Sequence, residues 1–377
     1  MYRLRVHLTG DPRHAPHVLA GLEALEAAGD AELTWRARPP RWRDRVLVRD
    51  GVATRVDRPY PWMVLIDVLD SPSGARGRIG IDLQDWREMY SYEAVQTCDV
   101  LFKRMYVPEN VAEAQPLFRA RILPAGLSHA IPAPAITSSR VFRRGKWYQR
   151  VESALNAPRL LLRRRGAKPA AAPSTSAAAP VPREAELPEH AFAFFQVKHH
   201  PWSGNEEAER LNEDRAHLIR VLRAELGDRF QGGMYFDGAP PEAFADCQTP
   251  LPTDRESYLA INERATVVIS TEGFGASPPW KLCEYLSQGR SIVAERMPVV
   301  LPTPLEDDVH LRWFDDPATC ATLCATLLDA PDVRERLERE ARAYYGLHVD
   351  PEATIRRHLR EAEAVLREGA SDGSEGA

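Results

Sequence analysis

The feature that most constrains the fold is a run of alanine, proline and serine in the middle of the chain, KPAAAPSTSAAAPVPREAELPE, from Lys168 to Glu189. A segment of this composition cannot bury enough apolar side chains to build a core, and it is typical of an extended linker. The chain of 377 residues is also longer than a single hydrophobic core usually grows. The sequence therefore predicts two separately folded halves joined by this linker.

Both halves alternate strand-like and helix-like segments. In the first half, a strand at 2–8 precedes an apolar helix face over 18–28, and the nearly continuous apolar run 62–68 is typical of a buried parallel strand. The second half restarts with a strand at 191–197 and a long amphipathic helix over 205–226. This alternation predicts an α/β fold made of two Rossmann-like domains.

Composition excludes several classes of protein. Hydrophobic residues make up 44% of the chain and the net charge is -5, so no global basic excess indicates a nucleic-acid partner. We find no apolar run long enough for a transmembrane helix and no signal-peptide core at the start, and we therefore expect a cytoplasmic protein. The five cysteines lack zinc-site spacing, which favours buried thiols.

The most informative segment is TVVISTEGFGASPPWKLCEYLSQGRSIVAE, from Thr266 to Glu295. It predicts a buried strand ending at Ser270, a turn containing Gly273 and Gly275, and a helix that ends at Gly289. Ser277 is the predicted N-cap of that helix, with Pro278 in its first turn. A strand, glycine turn and helix at the carboxyl edge of a parallel sheet form a common ligand site.

The residue types in this segment suit a nucleotide. A helix N-terminus and small residues favour a pyrophosphate, and Lys281 adds a cation. Glu284 lies one turn further along the predicted helix, where it can accept hydrogen bonds from a ribose diol, and Glu272 lies on the turn itself. The alternative is that the glycines only form a tight turn, with Lys281 and Glu284 as a solvated pair.

This segment resembles the donor-site region of GT-B glycosyltransferases, whose two Rossmann-like domains face a cleft. That pattern has Glu-Gly-Phe-Gly, a second Glu eight residues on, and a Gly before a Val-rich strand. The resemblance implies that Glu272 lies by the donor sugar, that Glu284 binds the ribose, and that Gly273, Phe274, Gly275 and Ser277 belong to the donor site. The two glutamates are twelve residues apart here, which leaves open whether the configuration at the sugar is retained.

A second correspondence lies where the second half begins. In this family a basic residue after the first strand reaches the donor diphosphate, and Lys198 follows AFAFFQV at that position. The family often has a lysine five residues later, where Ser203 stands here, so Arg215 or Lys281 would replace it.

The resemblance also divides the chain. It predicts an acceptor domain over 1–135, a basic helix and linker over 136–189, and a nucleotide-sugar domain over 190–350. We expect a final helix over 351–367 that either crosses back to the first domain or ends the chain plainly, followed by a disordered tail at 368–377.

Candidate residues for the acceptor side come from the first half. Asp11 or His14, in the loop after the first strand, could act as the base on an acceptor hydroxyl, although both residue types also favour plain surface turns. Asp82 and Asp85 are alternatives at another strand end. A third strand end carries Lys103 with the adjacent Arg104, which could contact an anionic acceptor.

Cofactors and membrane contact follow from two further features. No Asp-x-Asp triplet occurs, so we expect metal-independent transfer with no cofactor besides the nucleotide-sugar co-substrate. The basic stretch 140–168, with interleaved aromatic and leucine residues, suits peripheral contact with the inner membrane face and a lipid-linked acceptor. A solvated linker helix is the alternative for that stretch.

These observations together predict a glycosyltransferase that moves a sugar from a nucleotide sugar to a hydroxyl acceptor, a saccharide or a lipid-linked sugar, in bacterial-type polysaccharide or glycolipid synthesis. Two other functions remain open at this point. One is a sugar-nucleotide epimerase on the same scaffold. The other is a degenerate transferase that only binds its ligand, which the altered glutamate spacing permits.

Overall fold

The computed structural model describes residues 1–9, 15–38, 41, 43–60, 62–128, 187–202 and 204–372. It contains two compact units. Unit 1 comprises the described residues up to Gly126 and those from Pro351 on, and unit 2 comprises the described residues between them. Within these residues, no helix combines the length and the apolar character that crossing a bilayer requires.

The described part of unit 1 begins with the following strands and helices: β1 (Tyr2–Thr9), α1 (Pro16–Ala27), β2 (Ala31–Arg38), β3 (Arg45–Arg49), β4 (Val52–Val56), β5 (Met63–Asp70), β6 (Gly77–Asp82), β7 (Met89–Ser91), α2 (Tyr92–Thr97), β8 (Val100–Lys103), α3 (Pro108–Ala114) and β9 (Arg121–Pro124). Unit 2 follows, and then the last helix of unit 1: β10 (Ala193–Lys198), α4 (Glu206–Leu226), β11 (Phe230–Tyr235), α5 (Arg255–Arg264), β12 (Val267–Ser270), α6 (Trp280–Gln288), β13 (Ser291–Glu295), β14 (Arg312–Phe314), α7 (Pro317–Asp329), α8 (Pro331–Tyr344) and α9 (Pro351–Asp372).

Unit 1 is built on a six-stranded sheet of order β2-β1-β5-β6-β8-β9. Strand β5 runs antiparallel to both of its neighbours, whereas the other pairs are parallel. The prediction of a parallel strand at 62–68 is therefore wrong in direction, because burial on both faces produces a continuous apolar run whichever way a strand runs. Strands β3 and β4 form a hairpin: Asp50 and Gly51 have φ angles of 53° and 70°, as a tight two-residue turn requires.

Helix α9 packs within unit 1 against α1 and β8. A Cβ atom at Gly21 would lie 2.1 Å from the carbonyl oxygen of Pro351, so only glycine permits this helix crossing. The ring of His358 stacks on Phe102 with centroids 4.1 Å apart. The helix also continues to Asp372, which corrects the expectation of a disordered tail from residue 368.

Unit 2 has a fully parallel five-stranded sheet of order β11-β10-β12-β13-β14. One core joins the sheet to α4 and α7, and a second core joins its other face to α5, α6 and α8. This three-layer, doubly wound arrangement is Rossmann-like. Unit 1 is likewise a mainly parallel sheet between two cores. The predicted fold class, α/β with two Rossmann-like domains, is confirmed.

The sheet of unit 2 opens between its two central strands. Strand β10 pairs with β11 along its whole length, up to Lys198 and Tyr235. Its pairing with β12 ends after Phe194 and Val268. Because the chain order reverses between β10 and β12, this gap is the topological switch point, where open α/β sheets bind ligands.

Candidate functional site

Two basic side chains enter the gap between β10 and β12 and bind its open carbonyl groups. Arg215, on α4, donates to the carbonyl oxygens of Lys198 and Glu272, each at 3.1 Å. Lys281, on the first turn of α6, donates to the carbonyl oxygen of Gln196. Carbonyl groups that the strand pairing leaves free are thus satisfied by cations from the two faces of the sheet.

Both cations can still bind a ligand. Neither has a carboxylate within ion-pair distance in the part of the chain that the structure describes, and the Nε of Arg215 is buried without an acceptor there. A guanidinium has five N–H donors and an ammonium has three, so both can bind a further acceptor. Desolvation lowers the pKa of Lys281 to about 7, with the positive charge of Arg215 adding to the effect. Burial lowers the pKa of Arg215 to about 10.

Glu272 lies beside the gap, on the loop after β12. Its carboxylate accepts a hydrogen bond from Arg210 of α4 at 2.8 Å, and its side chain is 13% exposed. Its backbone N–H donates to the carboxylate of Glu295, at the end of β13, at 2.9 Å. Burial raises the pKa of Glu295, and the negative charge of Glu272 contributes to that rise.

A cavity of about 220 Å³ opens next to Glu272, between α4, the ends of β12 and β13, and the start of α7. Arg215 and Glu295 are among its lining residues, together with apolar side chains such as Leu211 and Phe314. A cavity lined by both carboxylates and apolar side chains suits a ligand that has both hydroxyl groups and C–H surface.

The start of α6 differs from the sequence prediction. The helix begins at Trp280, and its N-cap is Pro279 rather than Ser277. Ser277 is buried, and its carbonyl oxygen accepts from the N–H of Gly273 at 2.8 Å, which closes the loop on itself. The predicted N-cap is therefore wrong, because Pro279 disfavours a helical backbone at the preceding residue, Pro278, and so delays the start of the helix.

The two glycines of this loop have different structural roles. Gly275 has a φ angle of 74°, in the left-handed region that glycine adopts without strain. A Cβ atom at Gly273 would lie 2.6 Å from the Oγ of Ser277, so the close turn excludes a side chain there. Phe274 between them is partly exposed.

Glu284 lies on α6 at the far face of the sheet. Its carboxylate pairs with Arg255, the first residue of α5, at 2.7 Å, and its side chain is 8% exposed. The hydrogen bond from Arg255 and the burial of Glu284 hold this carboxylate in one place. It does not pair with Lys281, which excludes the alternative of a solvated Lys–Glu pair on the helix surface.

Lys198, at the end of β10, is half-exposed and pairs with Asp237 at 2.7 Å. The structure therefore places three of the predicted basic residues at the same carboxyl edge: Lys198 itself, Arg215 and Lys281. Of these, Lys198 already has a carboxylate partner.

In unit 1, the predicted alternatives Asp82 and Lys103 form a closed ion pair. Both side chains have 0% exposure, and they lie 3.0 Å apart. Lys103 also donates to the carbonyl oxygens of Trp86 and Met89, each at 2.8 Å, and Tyr60 donates to Asp82 at 2.8 Å. All three ammonium donors are used and no solvent reaches the pair. The predictions of Asp82 as a base and of Lys103 as an acceptor contact are therefore wrong.

The other first-half candidates have separate outcomes. Asp85 pairs with Arg104 at 2.8 Å, so its carboxylate already has a cation. Asp11 and His14 lie outside the described residues, and so does the basic stretch 140–168.

Sequence reasoning missed three side chains of the site, namely Arg210, Arg255 and Glu295. Arg255 follows the capping residue Asp254, a recognisable helix start, but nothing in the sequence links it to Glu284. Arg210 and Glu272 are 62 residues apart, so only the folded sheet brings them together. Among the described residues, no group of three or more histidine, cysteine, aspartate or glutamate side chains could hold a metal ion.

Comparisons with known proteins find no family model that matches this chain. No curated protein matches it either. Solved structures do show likeness. The C-terminal domain of a glycosyl transferase group 1 family protein from Francisella tularensis has 11% identity and a TM-score of 0.29, with 42% of this chain and 84% of that domain covered.

Two further similar structures span more of this chain. HepE of Anabaena, in complex with UDP-glucose, has 10% identity and a TM-score of 0.39; 72% of this chain aligns to 65% of HepE. Sucrose-phosphate synthase of Thermosynechococcus elongatus has 12% identity and a TM-score of 0.40, over 97% of this chain and 74% of the synthase. All three similarities are distant, with identities of 10–12% and TM-scores of 0.40 or lower.

Proposed function

We propose that this protein transfers a sugar from a nucleoside diphosphate sugar to a hydroxyl acceptor. The observation that carries the proposal is the pair of cations at the switch point, Arg215 and Lys281, which have no carboxylate partner within the described residues. Two partly desolvated cations at one position form a strong site for a diphosphate.

The remaining side chains fit the two ends of such a donor. We assign the ribose diol to Glu284, because a carboxylate held by Arg255 still has free lone pairs that can accept hydroxyl donors. We assign the sugar to the side of Glu272, next to the cavity lined by Arg215 and Glu295. Lys198 would reach the diphosphate after exchanging its partner Asp237.

The reaction breaks the bond between the anomeric carbon and the diphosphate oxygen, and the bonding electrons leave with the diphosphate. The acceptor oxygen forms the new bond to the anomeric carbon and gives its proton to a base. Arg215 and Lys281 stabilise the charge that develops on the leaving diphosphate, which is the main electrostatic contribution expected of the site. We propose that this stabilisation needs no metal ion and no further cofactor.

A thermal-shift screen with UDP-, GDP-, ADP- and dTDP-sugars tests the proposal, because a ligand at 100 times its Kd stabilises by about 2.7 kcal/mol. We expect one nucleotide family to raise the Tm and Lys281→Met to remove most of that rise. Arg220→Ala is the control, because it also removes a cation of unit 2, but one that already has a carboxylate partner, Asp246. The absence of a shift with every nucleotide sugar would contradict the proposal.

Product analysis separates transfer from the two other functions. An isomerised sugar formed without acceptor identifies an epimerase, and binding without turnover identifies a degenerate transferase. For the setting, we propose a cytoplasmic enzyme of polysaccharide or glycolipid synthesis with a saccharide or lipid-linked acceptor. Peripheral contact with the inner membrane face through the basic stretch 140–168 belongs to the same proposal and is tested by co-sedimentation with anionic vesicles.

A further inference from the structure

Three aromatic rings form a cluster above the gap between β10 and β12. Trp202, in the loop after β10, is 51% exposed although its indole is large and mainly apolar. It packs edge-on against Phe274 of the loop after β12, with centroids 5.2 Å apart and ring planes at 87°. It also stacks on His200, at 5.0 Å and 29°. The loops after both central strands thus meet in one aromatic surface.

The backbone behind this cluster is held in place. The side-chain amide of Asn212, buried on α4, donates to the carbonyl oxygen of His200 and accepts from its N–H, both at 2.9 Å. Arg215 fixes the carbonyl oxygen of Lys198 two residues earlier. On the other loop, the left-handed residue Gly275 follows Phe274 directly. The rings are therefore preorganised for a ligand, which lowers the entropic cost of binding.

The cluster is an uncharged surface between charged groups. Burial, together with the charges of Arg215, His199 and Lys198, lowers the pKa of His200 to about 4, so the imidazole is neutral near pH 7. The carboxylate of Glu272 lies two residues before Phe274 in the same loop. A ligand here would meet an aromatic face and a hydrogen-bonding carboxylate, close to Arg215, whose charge acts on His200.

We propose that Trp202, supported by His200 and Phe274, binds the C–H face of the sugar ring in the nucleoside diphosphate sugar. The inference rests on the proposed function and adds a recognition element for the sugar. A pyranose has an apolar C–H face that packs against an indole and a hydroxyl rim that Glu272 can accept from. The nucleobase is the less suitable occupant, because the ribose site at Glu284 lies on the opposite face of the sheet.

Calorimetry on the full chain tests this assignment with two ligands, the nucleoside diphosphate alone and the same nucleotide carrying its sugar. We expect Trp202→Ala to lower the affinity for the sugar nucleotide by up to about tenfold, which is the usual contribution of one aromatic contact. The affinity for the nucleoside diphosphate without its sugar should change by less than about twofold. Trp202→Phe should recover most of the loss, and Leu347→Ala, at an exposed apolar residue elsewhere in unit 2, should change neither value.

A second arm needs no nucleotide: saturation-transfer NMR with methyl hexosides on the wild type and on Trp202→Ala. A hexoside signal that is present with the wild type and absent with the variant would support the inference. If the wild type gave this signal but bound no nucleotide, only the proposed function would be overturned. If Trp202→Ala lowered the affinity for both nucleotides equally, the indole would be assigned to the nucleobase and the inference would be overturned. Unchanged binding of both nucleotides would overturn it as well. Absence of both nucleotide binding and a hexoside signal in the wild type would overturn both proposals.

Discussion

Raising the pH through neutrality should weaken donor binding, because Lys281 loses its charge in that range. Its pKa lies at about 7 in the folded protein without ligand. The charged fraction of such a group falls from about 0.76 at about pH 6.5 to about 0.03 at about pH 8.5. If the diphosphate binds only the ammonium form, the affinity falls by about 25-fold, which corresponds to about 2 kcal/mol.

Arg215 and Tyr258, which face Lys281, titrate above this window. Arg215, across the gap, has a pKa of about 10. Tyr258 of α5, whose ring centroid lies 5.2 Å from the ammonium, has a pKa raised by burial to about 12. The remaining charged neighbour is the Glu284 carboxylate. The pH dependence of the donor affinity can therefore be attributed to Lys281.

Calorimetry at several pH values, in two buffers of different ionisation enthalpy, measures both the affinity and the proton uptake. A nucleotide sugar is the better ligand, because its diphosphate has no ionisation in this range. Uptake should approach one proton per site at the upper end. The affinity of Lys281→Met for the nucleotide sugar should be low at every pH and should not change with pH. The affinity of Lys198→Met should be lower than that of the wild type but should fall with pH in the same way. A flat wild-type affinity, or an unchanged slope in Lys281→Met, would refute the reasoning.

The free protein should show the opposite trend. The folded pKa of Lys281 lies below its ordinary value of 10.5, so the unfolded chain binds more protons between about pH 7 and that value. The contribution of Lys281 to the free energy of unfolding therefore rises with pH through this window. Urea titrations of the wild type and Lys281→Met, compared at both ends of the window, measure this difference.

Three substitutions give further predictions. Asp82→Ala should lower the free energy of unfolding by about 3–5 kcal/mol, measured by urea titration, because it leaves the fully buried Lys103 without its carboxylate; a loss below about 1 kcal/mol would contradict the closed ion pair. Gly275→Ala should cost about 1 kcal/mol in the same assay through its φ angle of 74°, whereas a stability gain would show that the loop relaxes. Arg255→Ala should lower the affinity for ribonucleotides more than the affinity for their 2′,3′-dideoxy analogues, measured by calorimetry, because Glu284 loses the partner that holds it. An equal loss for both ligands would show that Glu284 does not bind the ribose.

Much of the fold was predictable because the apolar runs are short and sharply bounded. Strand β12 ends at Ser270, as predicted, and α4 runs over Glu206–Leu226, within one residue of the predicted 205–226. The direction of β5 was not predictable, since a doubly buried strand has the same apolar run in either direction. The three-residue strand β14 is too short to show a period.

The site was predictable by residue type but not by pairing. Arg215, Lys281, Glu272 and Glu284 all lie on elements that end at one sheet edge, which strand and helix patterns predict. Which cation meets which carboxylate depends on the spacing of α4, α5 and α6 around the sheet, and no local pattern encodes that. The burial of Asp82 likewise depends on tertiary packing, because an aspartate at a strand end is usually solvated.

The location of α9 in unit 1 has a consequence for synthesis and for fragments. Unit 1 is assembled from two distant stretches of chain, so residues 1–126 alone leave uncovered the surface of α1 that α9 packs against. Apart from Leu127 and Ser128, the described residues of unit 2 all come from the single stretch 187–350. On the ribosome, the later unit can therefore complete its fold while the earlier one is still unfinished. A fragment of residues 187–350 should express as a folded protein, whereas a fragment of residues 1–126 should aggregate unless the Pro351–Asp372 helix is supplied.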